Sequence, residues 1–185
     1  MQKKIARLLL SLLGWTLIEP KNLPLRAVAI AYPHTSNWDA LHAQLGNLGL
    51  GLKAHWVGKD SLFRWPFGGL LRWLGGIPVD RRAANGFVAQ MVAQFAQRPE
   101  LLLVLAPEGT RKLTAGWKSG FYRIALEAGV PVVLTTVDYA RREVGILAVL
   151  DLSGDPQADI AAIAAVYAGR QGRIPTQAAP IRWLD

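Results

Sequence analysis

His34 and Asp39 form a His-x-x-x-x-Asp pair in which two residue types suited to proton transfer sit within one turn of chain. A carboxylate that holds one imidazole nitrogen fixes the tautomer, so the other nitrogen can take a proton from a hydroxyl. That hydroxyl can belong to a substrate as readily as to the protein. A surface histidine beside a helix-capping aspartate is the plainer alternative for the pair taken alone. A second cluster is Pro107-Glu108-Gly109-Thr110-Arg111. Gly109 lets backbone N–H groups approach an anion, Arg111 offers a planar fork for phosphate, and Glu108 can orient basic groups nearby. A third is Gly75-Gly76-Ile77-Pro78-Val79-Asp80-Arg81-Arg82, a glycine turn followed by two adjacent arginines. Phosphate binding is its functional reading, with Arg81 as the candidate, and a solvated basic loop is the plain one.

These clusters need elements to position them. Residues 26–32 are a short apolar run that ends at Pro33, which predicts a buried strand delivering His34. Residues 37–50 read as a helix, with Asn37 or Asp39 at its first turn. Residues 101–105, Leu-Leu-Leu-Val-Leu, are the clearest buried strand, and Glu108 follows it. Further strands are expected at 54–57, 77–79, 131–137 and 144–150, and helices at 84–97, 121–128 and 159–168. Strands alternating with helices predict an α/β fold, a largely parallel central sheet flanked by helices in a single domain. In such sheets functional groups collect beyond the C-terminal ends of strands, where both His34–Asp39 and Glu108–Arg111 fall.

In this order the clusters resemble the motif pattern of the glycerolipid acyltransferases, the 1-acylglycerol-3-phosphate acyltransferase or PlsC-like family. His34-Thr35-Ser36-Asn37-Trp38-Asp39 is similar to the first motif, Gly76 to Arg81 to the second, Pro107 to Arg111 to the third, and Val130-Pro131-Val132-Val133 to the fourth. The resemblance spans roughly residues 26–140 and departs from the common pattern at Pro33, Ala106 and Leu134. It implies that His34 is a general base oriented by Asp39, acting on an acceptor hydroxyl that attacks a thioester with no acyl-enzyme. It also implies that Arg81 and Arg111 hold the acceptor's phosphate, with Glu108, Gly109 and Thr110 shaping that site. The implied partners are acyl-CoA or acyl-carrier protein, as co-substrate rather than cofactor, and a lysophospholipid acceptor. A lipid-binding module that no longer turns over is the alternative, and it leaves the His34–Asp39 pair idle.

Composition frames these readings. The 185 residues carry 21 Lys and Arg against 13 Asp and Glu, a net charge of +8, with no cysteine and a mean hydropathy of +0.21. A basic, apolar chain suits an anionic membrane surface; the aromatics lie among aliphatic runs and no nucleic-acid recognition motif appears, so no nucleic-acid partner is expected. The absence of cysteine excludes thiolate nucleophiles and thiolate metal sites, and no His/Asp/Glu cluster has metal spacing. The first 20 residues begin basic and continue apolar from Leu8 to Ile18, a run too short to cross a bilayer. They are expected to form a helix lying in the membrane interface, with Lys3, Lys4 and Arg7 on lipid phosphates, ahead of an acyltransferase domain over 21–185. Residues 59–73 mix Trp, Phe and Arg as an interfacial surface does. The expected location is therefore peripheral, on the cytoplasmic face of a membrane. His42 and His55 are read as structural.

Overall fold

The computed structural model describes residues 1–80 and 86–184. Among them the elements run α1 (Gln2–Leu12), β1 (Thr16–Ile18), β2 (Arg26–Ala31), α2 (Trp38–Leu50), β3 (Ala54–Lys59), α3 (Gly68–Trp73), β4 (Gly76–Val79), α4 (Gly86–Gln97), β5 (Leu101–Leu105), α5 (Gly120–Ala128), β6 (Val132–Asp138), β7 (Glu143–Leu150) and α6 (Pro156–Val166). The strands form one sheet in the order β1-β7-β6-β2-β5-β3-β4. All neighbours are parallel except β6 and β7, which pair antiparallel, so the expected largely parallel α/β sheet is what the chain forms.

β2 is central because both of its faces are apolar. Val28 and Ile30 face a core shared with Met91 and Phe95 of α4 and Ile124 of α5. Ala27 and Ala29 face the other side, packed with Val133 and Ile146. On that side α2 comes close to the sheet through glycine: a Cβ at Gly46 would lie 3.0 Å from Val144. Such burial, at about 1.5–3 kcal/mol for each large aliphatic side chain, is the main term holding the layers together.

The N-terminal run departs from the expected single helix. α1 stops at Leu12, Gly14 turns the chain at φ +74°, and Thr16–Ile18 pairs with Glu143–Gly145 as an edge strand. β-branched Thr16 and Ile18 favour that extended state. Ala6 and Leu10 are buried, and α1 packs on α2. Arg7 is not left for lipid: it pairs with Glu19 at 2.8 Å and donates to the Gly49 carbonyl at 2.8 Å. Among the described residues no helix is long and apolar enough to cross a membrane.

The last helix starts three residues before its expected position. Asp155 caps it by accepting from the N–H groups of Gln157 and Ala158, and Pro156 takes the first helical position. Beyond α6 the tail folds back over the C-terminal ends of the strands. Tyr32 and Glu108 bind it through Ala179, and Trp117 pairs with Arg182 and Leu184.

Candidate active site

Register brings the two main clusters together. β2 pairs with β5 so that Ile30 lies beside Leu105, and the loops that follow leave the sheet side by side. His34 comes from the first loop and Glu108 from the second. β6 lies on the other side of β2 and places Tyr139 at the same end.

Asp39 sits in the first turn of α2 and points back over the loop that precedes it. Its Oδ2 accepts the N–H of Thr35 and of Ser36, each at 2.8 Å, and lies 3.2 Å from His34 Nδ1. Its Oδ1 accepts the Tyr139 hydroxyl at 3.0 Å. Asp39 is 3% exposed. Burial raises its pKa, but the donors from His34, Ser36, Thr35 and Tyr139 outweigh it and hold the carboxyl below its ordinary value. An ionised Asp39 only accepts, so Nδ1 carries the hydrogen that faces it, and in the neutral imidazole Nε2 then holds the lone pair. The His34 side chain is 24% exposed, so a small ligand can reach it.

Glu108 holds His34 from the other side. Oε2 accepts the His34 N–H at 2.8 Å and Oε1 accepts the Ala179 N–H at 2.9 Å. Burial raises the Glu108 pKa, and the nearby Asp39 charge adds to this; the two N–H donors and His34 oppose it. The carboxylate is turned into the protein, where it fixes the loop that carries His34.

Beyond Glu108 the second cluster turns outward. Gly109 closes a turn by donating to Ala106 O at 3.0 Å, with φ +65°, a conformation glycine adopts without strain. Thr110 Oγ1 accepts the Lys112 N–H at 3.3 Å. Arg111 and Lys118 are exposed, and Lys118 Nζ lies 3.2 Å from where a Gly109 Cβ would stand. Arg81 lies outside the described residues, so its expected meeting with Arg111 falls outside them too. Among the described residues no group of His, Asp and Glu converges as metal ligands would.

Two residues absent from the sequence reading belong here. Tyr139 follows directly on β6, at the same end of the sheet as His34, and that position was a usable signal. Arg173, from the tail, sets its guanidinium carbon over the Trp38 ring, 5.3 Å from the centroid; its place in sequence gave no such signal. His42, read from sequence as structural, bonds Trp38 O through Nδ1 at 2.9 Å and packs its ring on Trp15.

A family model described as Acyltransferase matches residues 15–137, which include His34, Asp39 and Glu108 to Arg111. The chain belongs to this acyltransferase family. It is 35% identical over 97 residues to 1-acyl-sn-glycerol-3-phosphate acyltransferase of Escherichia coli (strain K12), covering 49% of this chain and 39% of that protein. The enzyme of the same name from Haemophilus influenzae is 37% identical over 84 residues, 42% of this chain and 35% of its own. The matched stretch thus spans under half of the length of these acyltransferase relatives. In architecture the chain resembles the crystal structure of the 1-acyl-sn-glycerophosphate (LPA) acyltransferase PlsC from Thermotoga maritima. The TM-score is 0.56 at 16% identity, over 89% of this chain and 76% of that one.

Proposed function

We propose that the protein transfers a fatty acyl group from a thioester, acyl-CoA or acyl-carrier protein, to a hydroxyl of a lysophospholipid such as 1-acylglycerol 3-phosphate, at a membrane surface. The observation that carries this reading is His34 held at 3.2 Å by a buried Asp39 that three further donors also fix. In the proposed reaction Nε2 of His34 takes the hydroxyl proton as the oxygen attacks the thioester carbonyl. The C–O bond forms, the tetrahedral intermediate collapses with loss of thiolate, and the proton on His34 passes to the sulfur. Thiolate is a good leaving group, so one base is sufficient. Asp39 stabilises the imidazolium. Glu108 fixes the His34 backbone, and the exposed Arg111 and Lys118 supply positive charge toward the acceptor's phosphate.

The names of the relatives support the acceptor class, and the preserved His34–Asp39 geometry favours turnover over an idle lipid-binding module. The test is acyl transfer by purified protein, with each donor, onto 1-acylglycerol 3-phosphate in mixed micelles. Wild type should turn over. His34→Ala should keep its circular dichroism and lose on the order of 10²-fold or more in kcat. A folded His34→Ala protein with near-full kcat would falsify the base assignment.

A further inference from the structure

The tail that crosses the site carries an arginine with no assigned work. Arg173 lies outside the segment that matches the acyltransferase family model, so the family's motifs do not account for it. We propose that Arg173 holds the phosphate of the acceptor, supplying a headgroup contact from the C-terminal tail. This inference rests on the acyl-transfer reading above.

The backbone on either side of Arg173 is fastened to the loop that bears His34. Gly172 presses so closely that a Cβ there would stand 2.6 Å from Thr35 Oγ1 and 3.2 Å from Pro33 Cβ. The Ile174 N–H donates to the same Thr35 hydroxyl at 3.1 Å. Arg173 therefore starts from a fixed point beside the catalytic loop. Its guanidinium then lies over Trp38, which is half exposed and directly precedes Asp39. It also reaches the Tyr139 phenol as a side-chain hydrogen-bond partner, and that hydroxyl donates to Asp39.

A guanidinium set over a ring and against one phenol still keeps most of its five N–H donors for a ligand. Other tail arginines engage theirs within the protein. Arg170 pairs with Asp138 and Glu143, and Arg182 donates to Ala115 O at 2.7 Å. Among the described residues no carboxylate pairs with Arg173. A pre-ordered cationic fork beside a general base suits a dianion attached close to the reacting hydroxyl, and a glycerol phosphate is such an acceptor. The same tail reaches the other basic loop. With its amide turned to donate, Gln177 lies 3.3 Å from Thr35 O and 2.7 Å from Arg111 O. The tail thus sets Arg173 on the Asp39 side of His34 and anchors the Arg111 loop on the Glu108 side.

The experiment has a binding arm and a kinetic arm, on wild type, Arg173→Ala and Arg173→Lys. Calorimetric titration with sn-glycerol 3-phosphate reads the site without turnover. Arg173→Ala should weaken binding by roughly tenfold or more, and Arg173→Lys should fall between, since it keeps charge and loses the fork. In the assay the Michaelis constant for the phosphorylated acceptor should rise similarly, with that for the donor and the pH profile of kcat unmoved. Equal binding by wild type and Arg173→Ala overturns the proposal, as does wild type that does not bind sn-glycerol 3-phosphate. A moved pH profile with an unmoved acceptor constant also overturns it, in favour of positioning through Tyr139. Flotation on phosphatidylglycerol vesicles should be the same for all three proteins; loss there, with binding of sn-glycerol 3-phosphate intact, assigns Arg173 to the bulk lipid surface and overturns the acceptor contact. If wild type binds sn-glycerol 3-phosphate through Arg173 yet transfers no acyl group, the phosphate site stands and the acyl-transfer reading falls.

Discussion

Two buried carboxylates flank His34, and their surroundings push them in opposite directions. Asp39 is held below its ordinary pKa because its donors outweigh burial; Glu108 is raised because burial, with the charge of Asp39, outweighs its two N–H partners. The sign of each linkage follows. Stability from Asp39 is present above its unfolded value and is lost as pH falls through the lower folded value. For Glu108 the folded state binds the proton more tightly, so its contribution shrinks as pH rises from the ordinary glutamate range. Glu108→Gln should destabilise by about 1–3 kcal/mol, because one of two N–H groups then faces an amide NH2. Denaturant unfolding should show the gap between wild type and Glu108→Gln narrowing as pH rises; a gap that widens removes the raised pKa from the account. Asp39→Asn should lower kcat by about 10²-fold or more, since His34 loses the acceptor that sets its tautomer. Steady-state assays of the folded variant check this, and a kcat within threefold of wild type would exclude that role. His34, Asp39 and Glu108 were legible because their types and spacing follow strands. That Glu108 grips the backbone of His34 was not legible, since it depends on β2–β5 register. Arg173 lies 139 residues beyond His34, and only tertiary packing joins them.

At the scale of elements, the tail after α6 is a clamp on the loop that bears His34. The Tyr139 N–H donates to Gln171 O at 2.9 Å, Gly172 packs on Thr35, and Ala179 meets both Glu108 and Tyr32. Thr35 is 2% exposed and has little room to give. Gly172→Ala should therefore displace either the tail or the loop, cost about 1–3 kcal/mol of stability, and lower kcat several-fold. Gly69→Ala is the control, since nothing lies within 4 Å of its added Cβ. Thermal unfolding and kcat measured on both variants decide the matter: equal behaviour of the two would remove the clamp. The alternation of apolar runs with glycine and proline stops made nearly every strand and helix readable, most to within one or two residues. The exceptions have physical causes. Residues 8–18 look like one apolar helix because leucine suits a helix, a strand or an interface, and only pairing with β7 shows that Thr16–Ile18 is a strand. The start of α6 is set by the Asp155 cap, whereas Asp159, the expected start, is buried and accepts the Tyr122 hydroxyl at 2.9 Å.

Among the described residues, exposed apolar side chains are dense on α1 and between β3 and β4. On α1, Leu8 and Leu12 are 59% and 74% exposed, next to Lys3 and Lys4. Between β3 and β4, Trp65 and Trp73 are 92% and 76% exposed, with Phe67 and Leu70 between them. Exposed tryptophan and leucine beside basic residues suit a lipid headgroup region, and the lysophospholipid acceptor of the proposed reaction is an amphiphile that partitions into bilayers. We propose that these two surfaces dock the protein on anionic bilayers. Removing residues 1–18 is a poor test, because it would also remove β1 and the buried Ala6 and Leu10. Substitution at exposed positions separates docking from folding. Leu8→Ser with Leu12→Ser, and Trp65→Ser with Trp73→Ser, should unfold at the wild-type temperature yet float less with phosphatidylglycerol vesicles. High salt should weaken wild-type binding only in part, since charge attraction is screened and apolar insertion is not. If the two lysines carried all of the attraction, high salt would abolish flotation and the serine variants would float like wild type. Wild type that fails to float at low salt overturns the docking model, and a serine pair that floats normally removes its own surface from it. The acyl-transfer assay joins the two readings. The serine variants should keep full kcat on acceptor dissolved below its micellar concentration and lose rate only on acceptor held in vesicles.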